Sequence, residues 1–80
     1  MRIAICDDNS IDLKAMQAVF RRVAPDDTLD TFSEGGKLLN AISEGKGYDL
    51  LFLDIIMPGI TGMELAREAG RIAPDLPVCS

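Results

Sequence analysis

Residues 50–53 form an unbroken apolar run, LLFL, that ends on a carboxylate, Asp54, and is followed by Met57-Pro58-Gly59. A run this short, with no polar alternation, fits a strand covered on both faces. A similar run, RIAIC at residues 2–6, ends on two carboxylates, Asp7 and Asp8. Strands of this kind need helices on both sides, which narrows the fold to a layered parallel α/β sheet.

The intervening sequence supplies those helices. Asn9 or Ser10 can cap a helix in which Leu13, Met16, Val19, Phe20 and Val23 recur at three and four. Ala24-Pro25 ends it, because the residue before proline avoids the helical region. Residues 29–32 read as a second, weaker strand. Ser33 is placed to cap a second helix through Leu38, Leu39 and Ile42, which stops near Gly45 and Gly47. The third strand covers residues 49–53. Thr61 or Gly62 opens a third helix carrying Met63, Leu65, Ala66, Ala69 and Ile72, and Pro74 ends it. Residues 76–79 begin a fourth strand. Strands that alternate with helices imply right-handed crossovers and a doubly wound sheet, with one domain over residues 1–80.

Eighty residues support one small, marginally stable domain. The net charge of −5 argues against a nucleic-acid or anionic-membrane face on this segment, since both need clustered Lys and Arg. There is no His, and the two cysteines, Cys6 and Cys79, form no C-x-x-C pair, so a structural zinc site is not expected. Both cysteines stand in apolar, strand-like surroundings and read as buried thiols in a reducing compartment. With no signal peptide and no run long enough to span a bilayer, the expected location is the cytoplasm.

In an open parallel sheet, ligands gather outside the carboxyl ends of the strands. Asp7 and Asp8 follow the first strand and Asp54 the third. If those strands are neighbours, the carboxylates converge, repel and raise one another's pKa. A hard divalent cation such as Mg²⁺ relieves this, needing only one or two carboxylates and a backbone carbonyl. Asp54 can then attack phosphorus. The plainer reading is that Asp after a strand starts a turn or caps a helix, and Pro-Gly is simply a turn. Paired acids, a lone acid and Met-Pro-Gly in this order favour the site.

"IAICDDN" and "YDLLFLDIIMPGITGMELA" resemble the receiver domain of bacterial two-component response regulators, in order and spacing along the whole chain. The "ICDD" first strand is most similar to receivers that precede LytTR-type DNA-binding domains. The resemblance implies a flavodoxin-like (CheY-like) fold, with Asp54 as the phosphoacceptor for a histidine kinase. It implies that Asp8 ligates Mg²⁺ directly, Asp7 largely through water, and Ile56 through its backbone carbonyl. Pro58 and Gly62 would shape the loop and give room where the third helix begins. The output would be transcription control through an attached domain.

A family receiver has five strands and five helices, so this chain is expected to end inside strand four, without the family's Ser or Thr switch and its Lys. Ser80 comes slightly early for the switch, and Lys14, Lys37 and Lys46 read as solvated surface charges. The expectation is a homodimer through the incomplete sheet edge, with Met16, Val19 or Phe20 left open. Two rivals stand beside the phosphoacceptor. A haloacid-dehalogenase-type phosphatase would need a second acid where Ile56 stands. A degenerate receiver would act as a non-catalytic interaction module. Nucleotide binding lacks both G-x-x-x-x-G-K and G-x-G-x-x-G.

Overall fold

The computed structural model describes residues 1–54 and 59–80. The elements run β1 (Arg2–Cys6), α1 (Ser10–Val23), β2 (Thr28–Phe32), α2 (Gly35–Ser43), β3 (Leu50–Leu53), α3 (Gly62–Ile72) and β4 (Val78–Cys79). The four strands form one sheet in the order β2-β1-β3-β4, and every pairing is parallel. This is the expected flavodoxin-like architecture, as far as the chain extends. The register sets Cys6 beside Phe32 on one side and Leu53 on the other, so β1 is the axis of the sheet.

Alternation along the strands sorts the core. Ala4, Cys6, Leu51 and Leu53 face Leu38 and Ile42 of α2 and Leu65 and Ala69 of α3 in one buried cluster. Ile3, Ile5 and Leu13 are also buried, and the Phe20 ring of α1 meets Phe52 edge-on at 6.2 Å. The faces are covered unequally. Leu51 and Leu53 are buried, whereas Leu50 and Phe52 are half-buried. The uniformly apolar third strand therefore alternates in exposure. Val19 is 51% exposed, as anticipated, while Met16 and Phe20 are half-buried.

One open local reading is decided and three change. Asn9, not Ser10, caps α1: its Oδ1 accepts from the N–H groups of Ile11 (2.9 Å) and Asp12 (3.1 Å). The second helix starts from Glu34 rather than Ser33, with no side-chain cap. The Glu34 carboxylate instead pairs with Lys37 at 3.4 Å. β4 is shorter than expected. Pro77 accepts a bond from the Leu51 N–H at 3.0 Å but has no N–H to return. Cys79 lies exposed at this edge rather than buried.

The β2 edge is secured by a contact between residues far apart in sequence. The Tyr48 hydroxyl donates to Asp30 Oδ2 at 2.7 Å, and its ring meets Phe32 edge-on at 6.4 Å. Burial raises the Tyr48 pKa above its ordinary value of 10, and the Asp30 carboxylate adds to the shift. Because the native state holds this proton more tightly, the contribution is complete below about pH 10 and fades as pH rises through the folded value. Tyr48 is the only tyrosine, and tryptophan is absent. Tyrosinate absorbance should thus titrate well above 10 in folded protein and near 10 in urea. Tyr48→Phe should cost about 1 kcal/mol at neutral pH, with the gap from the parent closing in strong alkali. A native midpoint near 10 would contradict the contact.

Candidate functional site

β1 and β3 both end at the same edge, and the sheet's hydrogen bonding continues past them. The Asp7 N–H donates to the Phe32 carbonyl, and the Asp54 N–H donates to the Cys6 carbonyl, each at 3.0 Å. The backbones of Asp7 and Asp54 are therefore fixed before any side-chain contact is counted. The result is convergence: one carboxylate oxygen from each of Asp7, Asp8 and Asp54 lies within 4.8 Å of the others. Asp7 and Asp54 are half-buried and Asp8 is exposed.

The turn after β1 is ordered by its own side chains. Asp7 Oδ1 accepts from the Asn9 N–H at 2.9 Å, and Asn9 in turn caps α1. The plain reading of an acid after a strand is thus true for Asp7, which both orders the turn and faces Asp54. Burial is the main cause that raises the Asp7 pKa. The Asn9 N–H opposes it, and the charges of Asp54 and Asp12 add to the rise. Asp12 was not singled out in the sequence. Its signal was its place in the first turn of α1, three residues after the capping Asn9.

Beneath the carboxylates lies Cys6, fully buried. Desolvation first, then the charges of Asp7, Asp54 and Asp8, push its thiol up to about 11. Beside them a cleft of about 420 Å³ opens between α1 and the sheet, lined by Asp12, Met16, Phe52 and Asp54 among others. Ile56 and Pro58 lie outside the described residues. Gly62 is buried at the first position of α3, where Thr61 Oγ1 accepts from the Glu64 N–H at 3.1 Å.

A doubly wound parallel sheet with an acid trio at the carboxyl ends of its two central strands is the frame of a receiver. The model of the response regulator receiver domain matches residues 3–80, and the chain belongs to that family, the receiver domains of two-component response regulators. Such domains are signalling modules rather than turnover enzymes, which removes the phosphatase rival. The chain is 38% identical over 64 residues to stress response regulator protein 1 of the yeast Scheffersomyces stipitis, covering 80% of this chain and 22% of that protein. It is 40% identical over 47 residues to the receiver protein CpdR of Brucella abortus, covering 59% of this chain and 38% of CpdR. Stress response regulator proteins of further yeasts match as well, and the chain spans between 18% and 34% of the length of these relatives. Among solved structures, the response regulator TrrA of Thermotoga maritima, in complex with Mg²⁺-BeF, superposes with a TM-score of 0.85 at 31% identity. That match covers 96% of this chain and 64% of TrrA. TrrA in complex with the histidine kinase ThkA gives 0.84 over the same shares. Among the described residues, no helix is long and apolar enough to cross a membrane.

The two thiols offer a direct check of the geometry. With a chromogenic disulfide reagent at neutral pH, Cys79 should react at once and Cys6 only on unfolding, since it is buried and seldom ionised. Two rapidly reacting thiols in the native protein would mean that Cys6 is not sealed beneath the acid trio.

Proposed function

We propose that this receiver accepts a phosphoryl group on Asp54, with Mg²⁺ held by Asp7, Asp8 and Asp54 and the backbone carbonyl of Ile56. The observation that carries this reading is the convergence of three hard oxygen donors within 4.8 Å. Oxygens gathered this closely would offer a small divalent cation the one or two carboxylate ligands it needs, with water completing its shell. The donor set is all oxygen, which suits Mg²⁺ and not a soft metal. The bound cation would neutralise the carboxylates and the incoming phosphoryl oxygens.

The chain's own groups supply the rest. An Asp54 carboxylate oxygen attacks phosphorus, a new P–O bond forms, and the bond from phosphorus to the donor breaks. The electron pair leaves with the donor group, which is a histidine imidazole of a kinase or the carboxylate of a small acyl phosphate. The Asp54 N–H bond to Cys6 holds the nucleophile's backbone at the edge of the sheet, and holding a reacting group in place lowers the cost of reaching the transition state. A histidine kinase as partner is supported by the complex of TrrA with ThkA. It is also supported by a hybrid signal transduction histidine kinase L of Dictyostelium discoideum, 29% identical over 69 residues. For the output we propose transcription control through a domain on a longer parent. Only the "ICDD" run favours the LytTR-type subgroup, and the yeast relatives are stress response regulators. A cytoplasmic site of action follows from the proposed kinase partner.

Intact-mass spectrometry after incubation with Mg²⁺ and acetyl phosphate tests the reading. The parent should gain one phosphoryl group. Asp54→Asn should gain none, and a chelator should suppress the gain. A folded parent that gains nothing would favour the interaction-module reading instead.

A further inference from the structure

Two adjacent glycines open α2, and their surroundings differ sharply. A Cβ on Gly35 would lie 2.6 Å from Ile60 Cγ2 and 3.2 and 3.3 Å from the two Leu65 methyl carbons. A Cβ on Gly36 would meet nothing within 4 Å. Neither residue has a positive φ, so backbone freedom does not explain glycine at position 35. What position 35 requires is space.

The two side chains that fill this space have defined places. Thr61 is the N-cap of α3, so Ile60 stands just before the cap and Leu65 is the fourth helical residue. These are the positions of a hydrophobic staple, which sets the angle at which a chain enters its helix. Leu65 is fully buried and Ile60 packs against the same cluster. Ile60 also stands six positions after Asp54, whose N–H is tied to Cys6. Where the staple rests therefore decides where the connection from Asp54 must arrive.

We propose that Gly35 is a positioning residue for phosphoryl transfer. Its missing side chain lets Ile60 and Leu65 seat on the first turn of α2, and this contact fixes the far end of the connection leading from Asp54. The proposal rests on Asp54 being the phosphoacceptor. A methyl group at Gly35 must displace the staple, and small misplacements of a reacting group carry large rate penalties.

The test is the rate of phosphoryl uptake from acetyl phosphate, at saturating Mg²⁺, with folding checked by circular dichroism. Gly35→Ala should slow uptake about tenfold to a hundredfold, whereas Gly36→Ala, one residue away in open space, should match the parent. Ile60→Ala should also slow uptake, because the staple is lost. The double variant Gly35→Ala/Ile60→Ala should recover much of the rate, since the added methyl occupies part of the vacated space. Such rescue shows that the two residues act through one contact, while an unchanged circular dichroism spectrum and urea midpoint in a slowed single variant separate positioning from a loss of stability. Equal rates for the Gly35→Ala and Gly36→Ala variants would overturn the proposal, and so would additive losses in the double variant. If Gly35→Ala does not fold, Ile60→Ala decides, and an unchanged rate there overturns it. A parent protein that takes up no phosphoryl group defeats the phosphoacceptor reading and the positioning role with it. Uptake in the parent, with no effect of either single substitution, defeats the positioning role alone.

Discussion

The parallel pairing of β1 with β3, in the register that sets Cys6 against Leu53, is the constraint on which the rest depends. Side chains alternate with a period of two, so a slip of one residue would turn Leu51 and Leu53 away from α2 and α3. The same slip would move Asp54 out of line with Asp7. Core packing and site geometry are therefore fixed by one register. The hydrophobic pattern enforces it, because Ala4, Cys6, Leu51 and Leu53 must all reach the same buried cluster.

That register also has a cost. It brings negative groups together at the end of a buried layer, where burial first and the neighbouring charges second raise the pKa values of Asp7 and Cys6. Residues held in an unfavourable electrostatic arrangement by the surrounding fold are a recurrent feature of functional sites. Here the surroundings include the Asn9 turn, the extended backbone bonding at Asp7 and Asp54, and the buried side chains below. A cation binding among the carboxylates would turn this local cost into a stabilising interaction.

Much of this was legible in the sequence because it is encoded locally. The strand–helix alternation, the three helices and the order of the acids follow from apolar spacing and breakers. The adjacency of β1 and β3 was a condition that the sequence could pose but not decide, since pairing is a long-range property. The misplaced details are also physical. Ser33 is the better intrinsic cap, yet α2 begins from Glu34, where Gly35 must be buried against Ile60 and Leu65. Cys79 lies on an apolar strand, but exposure depends on what covers the edge. The Tyr48–Asp30 bond joins residues eighteen apart, with no short motif to announce it.

The most direct test of the central claim is the urea unfolding midpoint of the parent and Asp7→Asn, each with and without Mg²⁺. Asparagine keeps an acceptor for the Asn9 N–H and removes only the charge. If the carboxylates converge as described, Asp7→Asn is more stable than the parent without Mg²⁺. With Mg²⁺ the parent gains stability and the variant gains less. A parent indifferent to Mg²⁺, together with a variant no more stable than the parent, would contradict the convergence of Asp7, Asp8 and Asp54 into one cation site.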